Sequence, residues 1–279
     1  MHTVPDPVPC ESEPVWAELA TSTATPALSG VVRAYTGYEE RARQTRTLRE
    51  IPSGDVALII SFGSSLSITD PRDGSAVERR SFVAGVHDGY VEVQVPPRQR
   101  GVEVRLTPLG AYTLLGLPLH SLANRAVALE DVLGRVADRL TEQLDGLPDW
   151  QARFDHLDQV LTRLAQQGRA PSATAAWAWR RLEETSGRLP IAALAAELGC
   201  SRKHIAERFR DEVGVPAKTL ARVLRFKRAV RLLREGQITL AEIAHRCGYF
   251  DQAHFNRDFR NLAGATPTDF ALQFSTAAA

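Results

Sequence analysis

The sequence predicts an α+β protein in two parts, a β-rich front half and an all-helical back half. Three observations predict it. Between residues 47 and 107, apolar and polar residues alternate with a period of two. From about residue 127 the period becomes helical. From residue 171 onward the chain repeats itself.

Composition excludes several classes. The 279 residues are 44% hydrophobic and 24% charged, enough apolar material for one large domain or two ordinary ones. No run approaches the roughly 18 uncharged apolar residues of a membrane helix, and Val56-Ala57-Leu58-Ile59-Ile60 has only strand length. The N-terminus carries Asp6, Glu11 and Glu13 and no apolar signal core, so a cytoplasmic location and no membrane partner are expected. Cys10, Cys200 and Cys247 are scattered, which argues against a disulfide framework or a zinc finger. Nothing calls for a metal or another cofactor.

The net charge of +1 hides an asymmetry. Residues 1–170 carry 17 basic and 22 acidic residues, and residues 171–279 carry 17 and 11. The front is therefore acidic and the back basic, as nucleic-acid binding would ask if the charge lies on one face.

Residues 1–26, with five prolines, read as a flexible tail. Residues 27–168 read as a β-rich domain ending in a helical hairpin. Its strands are Leu58 to Phe62, Ser67-Ile68-Thr69, Tyr90 to Val95, and Val102 to Leu106. Asp70-Pro71-Arg72-Asp73-Gly74 reads as a turn, and Pro96 to Gly101 as the connection between the last two strands. Short strands at hairpin spacing suggest an antiparallel sheet or small barrel. Leu129, Val132, Leu133, Val136, Leu140 and Leu144 form one helical stripe. Gly146 reads as its stop and Pro148 as the next start. Phe154, Leu157, Val160, Leu161 and Leu164 form the second stripe, and most of both stripes should face the protein's own core.

Gln166 to Pro171 breaks the pattern, Ser172 can cap the next helix, and residues 172–279 form the third segment. Leu194-Ala195-Ala196-Glu197-Leu198-Gly199 aligns with Ile243-Ala244-His245-Arg246-Cys247-Gly248 at an offset of 49. At an offset of 50, Ser201 aligns with Asp251, His204 with His254, Ile205 with Phe255, Phe209-Arg210 with Phe259-Arg260 and Gly214 with Gly264. Each copy reads as a helix, a turn at glycine, a capping Ser or Asp and a second amphipathic helix, which is a helix-turn-helix. Between the copies, Ala217 to Arg234 reads as one helix with Arg222, Arg225, Lys227, Arg228, Arg231 and Arg234 outside its apolar face. Thr239 caps the helix after it.

The outer faces of the second helices carry Arg202, Lys203, Ala206 and Glu207 in the first copy and Gln252, Ala253, Asn256 and Arg257 in the second. Gln and Asn can bond adenine bidentately, Arg can bond guanine, and a carboxylate can accept only from cytosine N4. With Ser201 and Thr239 as capping groups, and with His204 and His254, whose matching places in the repeat point to phosphate or base contacts or to capping, these are the candidate DNA-binding residues. His87-Asp88 has no nucleophile motif beside it and reads as a loop. Cys200 and Cys247 flank the glycine turns and read as small packing residues. Trp177 and Trp179 lie two apart, so one should be core and the other should meet the front half.

The run Arg225 to Leu233, then Ile243-Ala244, Gly248-Tyr249-Phe250-Asp251-Gln252-Ala253-His254-Phe255, Phe259-Arg260 and Gly264-Ala265-Thr266-Pro267, resembles the AraC/XylS family of bacterial transcription regulators. The resemblance covers about residues 173–273. It implies a one-component regulator whose two helix-turn-helix units enter successive major grooves on one face of double-stranded DNA. RNA polymerase is an implied partner if the protein activates. Leu48 to Val56, Phe82-Val83-Ala84-Gly85 and Val102 to Pro108 resemble an uncharacterised β-rich N-terminal domain found on some AraC-type regulators. That half is expected to sense a small-molecule effector, form a homodimer, or both. The alternative is a DNA-binding module fused to an enzymatic or methyl-accepting front domain, for which Cys10 lacks a supporting His or basic neighbour. A non-enzymatic chain is the expectation.

Overall fold

The computed structural model describes residues 15–276, so Cys10, residues 1–14 of the segment read as a tail, and residues 277–279 lie outside the described residues. Among the described residues the front half holds ten strands: β1 (Trp16–Ser22), β2 (Val32–Arg41), β3 (Arg46–Glu50), β4 (Val56–Ser61), β5 (Leu66–Thr69), β6 (Ala76–Arg79), β7 (Phe82–Ala84), β8 (Val91–Val95), β9 (Arg98–Leu106) and β10 (Ala126–Ala128). They form two antiparallel sheets, ordered β1-β2-β9-β4-β7-β10 and β3-β8-β5-β6. In the larger sheet Val104 pairs with Tyr35 on one side and Leu58 on the other, which sets three buried side chains in one row. In the smaller sheet Val93 pairs with Leu48 and Ile68.

Two strand expectations need correction. Residues 16–22, read as part of a flexible tail, are an edge strand paired along its whole length with β2. Its exposed Trp16 and Leu19 give no burial pattern to read, and the prolines before it dominate the composition. Pro96 to Gly101 is not a hairpin connection. Only Pro96 and Pro97 lie between β8 and β9, and the two strands belong to different sheets.

The helices are α1 (Pro108–Leu115), α2 (Leu129–Leu133), α3 (Arg135–Gly146), α4 (Trp150–Gln167), α5 (Ala173–Glu184), α6 (Ile191–Leu198), α7 (Arg202–Glu212), α8 (Ala217–Glu235), α9 (Leu240–Arg246), α10 (Gln252–Ala263) and α11 (Pro267–Thr276). The stripe from Leu129 to Leu144 is two helices, because Gly134 takes φ +56° between them. Leu129, Leu140 and Leu144 are buried, while Val136 is exposed. Gly146 is the last residue of α3, and α4 begins at Trp150 with Asp149 as its cap, so Pro148 is not its first residue. The Asp149 carboxylate accepts from the Ala152 N–H at 2.8 Å, a bond proline cannot supply. Arg153, almost fully buried, donates Nε to the Leu144 carbonyl at 2.9 Å and a second N–H to Leu147, satisfying the end of α3. The hairpin packs on the sheet, with Phe154 stacked on Tyr35 at 5.7 Å.

Two apolar cores divide the helical half between them. One runs without a break from the large sheet (Tyr35, Leu58, Val104) through Leu119, Leu122 and Leu157 into α5 and α7 (Ala178, Leu182, Ile205, Phe209) and on to Leu220 and Leu224 of α8. The other belongs to the last third of the chain and gathers Val223, Phe226, Ile243, Ala244, Cys247, Phe255, Phe259 and Phe270. Phe259 is the centre of that second core, 5.0 Å from Phe226, 5.6 Å from Phe255 and 5.3 Å from Phe270. Phe259→Ala is expected to cost about 3–5 kcal/mol by leaving an unfilled cavity, measured by denaturant unfolding followed at α8–α11.

Candidate nucleic-acid interface

The repeat seen in the sequence is a repeat in the backbone. In the first copy α6 ends at Gly199, φ +62°, and the Cys200 N–H returns to the Ala195 carbonyl at 3.2 Å. In the second, Gly248 has φ +78° and the Tyr249 N–H returns to the Ala244 carbonyl at 2.9 Å. Both are left-handed closures that glycine allows without strain. Ala195 and Ala244 are buried where the second helix crosses. Ser201 then caps α7, its hydroxyl accepting from the His204 N–H at 3.1 Å. Asp251 caps α10, its carboxylate accepting from the His254 N–H at 2.6 Å. Thr239 and Glu242 form a reciprocal capping box at the start of α9.

Inner faces are apolar and buried: Ile205 and Phe209 on α7, Phe255 and Phe259 on α10. The outer face of α7 exposes Arg202, Lys203, Ala206 and Glu207. Glu207 lies 4.0 Å from Lys203 across one turn, both side chains well exposed, so part of that helix's positive charge is answered locally. The outer face of α10 exposes Gln252, Ala253 and Arg257. Asn256 is half-buried, and its Oδ1 is buried without a hydrogen-bond partner. The His254 ring sits edge-on to Tyr249 at 5.4 Å, which leaves its backbone cap as the better defined contribution. Ser201 and Thr239 are exposed at helix starts.

Several of the basic residues read as lying outside the apolar face of α8 have partners within the protein. Arg222 pairs with buried Asp258, which also accepts from Tyr249 Oη at 3.1 Å. Arg225 Nη1 donates to the Gly187 carbonyl at 3.0 Å, and its guanidinium lies over Tyr249 at 5.6 Å. Lys227 binds Asp55 of the front half at 3.2 Å, and Arg231 lies 3.7 Å from Glu235. Much of the helix's charge holds the fold together. Lys218 is exposed at the start of α8, and exposed cations on the other helices include Arg202, Lys203, Arg210, Arg246, Arg257 and Arg260.

Other candidates resolve plainly. His87 is not paired with Asp88. Its Nδ1 meets the Gly85 carbonyl at 2.7 Å, burial pushes its imidazole pKa down, and Asp88 pairs instead with Arg72. Cys247 is buried in the second core, where burial pushes its thiol up to about 11 despite nearby arginines. Trp179 meets the front half through Arg33, 5.3 Å from its ring, and Trp177 packs partly on the first core beside Arg181. Among the described residues no group of three or more His, Cys, Asp or Glu is placed to hold a metal. Phe250, which the sequence shows only as part of the family run, stands 93% exposed beside the Asp251 cap. Its signal was an aromatic at a turn position just before a capping residue.

A helix-turn-helix domain family matches residues 194–273. Residues 194–273 are a helix-turn-helix domain of the AraC type. The AraC-type segment is 40% identical over 81 residues to a putative AraC-like transcription regulator of Streptomyces lividans, covering 29% of this chain and 26% of that protein. It is 36% identical over 74 residues to the F1 operon positive regulatory protein of Yersinia pestis, covering 26% and 25%. It is also 36% identical over 84 residues to the transcriptional activator RhaR of Cronobacter sakazakii, covering 28% and 30%. The chain thus spans about a quarter to a third of the length of these relatives. Residues 21–128 match a domain of unknown function, DUF6597. Among solved structures, ToxT from Vibrio cholerae is 11% identical with a TM-score of 0.45 and coverage of 83% of this chain and 98% of that one. The C-terminal domain of AraT from Geobacillus stearothermophilus is 23% identical with a TM-score of 0.36, covering 37% and 88%. No helix among the described residues is long and apolar enough to cross a membrane.

Thr239→Ala removes the capping box of α9 without touching either core. It is expected to cost about 1 kcal/mol in urea unfolding.

Proposed function

We propose that the chain is a sequence-specific DNA-binding transcription regulator acting in the cytoplasm, with α7 and α10 reading successive major grooves. The observation that carries this reading is the pairing of two like-built second helices. Each is buried on one face, capped at its start and polar on its outer face. The first N–H groups of each helix, left over by α-helical bonding, suit phosphate oxygens, and the exposed arginines and amides suit base edges. The 19 residues of α8 make a helix about 28 Å long, the same order as the roughly 34 Å between successive major-groove faces. Arg257 and Gln252, both exposed, make α10 the stronger reader, while Asn256 has its Oδ1 buried and cannot make the bidentate contact its residue type suggests. Glu207 weakens α7, because a carboxylate near phosphates is repelled. The front half would supply effector sensing, dimer contacts or both. RNA polymerase is the further partner if this chain activates, as some of its relatives' names state for them.

Two outcomes test the reading. With about five phosphates neutralised by the exposed cations, log K against log salt should slope at about −4 to −5 for the full chain. A flat salt dependence would sink the DNA-binding reading. Arg257→Ala should cost about 1–3 kcal/mol on the preferred site and relax one base position, scored by competition against single-base variants. Equal weakening on every sequence would mean that Arg257 grips phosphate and reads no base.

A further inference from the structure

Gly214 and Gly264 occupy the same place in the two repeats, just past the ends of α7 and α10. Both have positive φ, +92° and +68°. The front half sits on both of them. A Cβ on Gly214 would lie 2.8 Å from the Leu119 carbonyl oxygen, and a Cβ on Gly264 would lie 2.6 Å from the Tyr90 ring. Leu119 belongs to a turn beyond α1, and Tyr90 leads into β8 of the smaller sheet. Two separate parts of the front half therefore close on equivalent points of the two helix-turn-helix units.

Neighbouring contacts hold each point in place. Beside Leu119, His120 Nδ1 lies 3.4 Å from Asp211 at the end of α7. Beside Tyr90, the Arg49 guanidinium covers the ring at 5.0 Å. Between the two points, the turn before β4 rests on α8. There a Cβ on Gly54 would lie 3.6 Å from Leu220, Val223 and Leu224, and Asp55 bonds Lys227. The α7 unit shares the front core, so its position is fixed by burial. The α10 unit has a separate core, joined to the rest through α8, Arg188 at Gly248, Ile51 and Tyr90.

We propose that Tyr90 is a positioning residue for DNA recognition: seated on Gly264, it fixes α10 relative to α7 and so sets the distance between the two DNA elements the chain accepts. The proposal rests on the DNA-binding reading above. It assigns to the front half a part in specificity that needs no effector and no base contact.

The test uses the full chain. Sites selected from random duplexes by the wild-type protein give the preferred bases of each element and their separation. Affinity is then measured on duplexes whose separation is changed by one or two base pairs. Wild type and Tyr90→Phe, which keeps the ring, should lose about tenfold or more per shifted base pair, comparable to one mismatched pair. Tyr90→Ala should vary by no more than about threefold across the series while keeping the base preferences within each element. Tyr90→Leu, which covers the sheet end but cannot span the ring's reach, should behave as Tyr90→Ala. Thermal unfolding confirms that each variant is folded. A spacing profile in the folded Ala or Leu variant as steep as wild type overturns the proposal, as does uniform weakening at all spacings. If wild type selects no sequence at all, the DNA-binding reading itself fails, an outcome distinct from either.

Discussion

The structure depends on an unequal division of apolar surface between its two helix-turn-helix units. Ile205 and Phe209 of α7 are buried in a core that begins in the large sheet at Tyr35, Leu58 and Val104. Phe255 and Phe259 of α10 are buried in a core of their own. Burying a large apolar side chain is worth about 1.5–3 kcal/mol, so the shared core binds the first unit to the front half far more firmly than the ion pairs at its margin. The two units match in sequence but differ in what holds them.

The polar contacts obey that division. Asp55, buried, takes Arg33 at 3.2 Å and Lys227 at 3.2 Å, and Arg33 also reaches Glu183. This cluster joins β2, α5 and α8, so it fastens the linker helix where the two cores meet. Glu212, also buried, closes the other side by accepting from the Ser172 N–H at 2.7 Å, tying the end of α7 to the start of α5. The buried carboxylates of Asp55 and Glu212 are both satisfied by partners within the protein. Of the cations on α8, Arg222 and Lys227 are held by Asp258 and Asp55, so they are not free for an outside partner.

Much of the helical half was legible because its signals are local. Glycine at a left-handed closure, a capping Ser or Asp three residues before the capped N–H, and apolar residues at helical spacing recur in both copies. The front half was less legible for particular reasons. Helix α1 was missed because Pro108 to Leu115 is apolar on nearly all sides and contains Gly110, so no stripe is visible. That glycine answers a distant strand end, since a Cβ there would lie 2.4 Å from the Val31 carbonyl oxygen. Strand β1 was hidden because an edge strand with an exposed outer face has no buried partner pattern to display. Assignment of β8 and β9 to different sheets is a long-range fact that alternation cannot encode. At the candidate interface, the composition of the outer faces was readable, whereas the internal use of Arg222, Arg225 and Lys227 was not, since their partners lie up to 172 residues away.

The first helix-turn-helix unit is thus one structural unit with the front half, while the second stands apart. Hydrogen exchange on the full chain across a low-denaturant series tests this most directly, because amides that open together share one free energy and one denaturant slope. The protected amides of α7 around Ile205 and Phe209 should join those of β4 and β9, and the amides of α10 around Phe255 and Phe259 should trace a separate isotherm. If α7 and α10 instead opened together, apart from the sheet, the two helix-turn-helix units would form a single domain, and the unequal division of the core between them would be wrong.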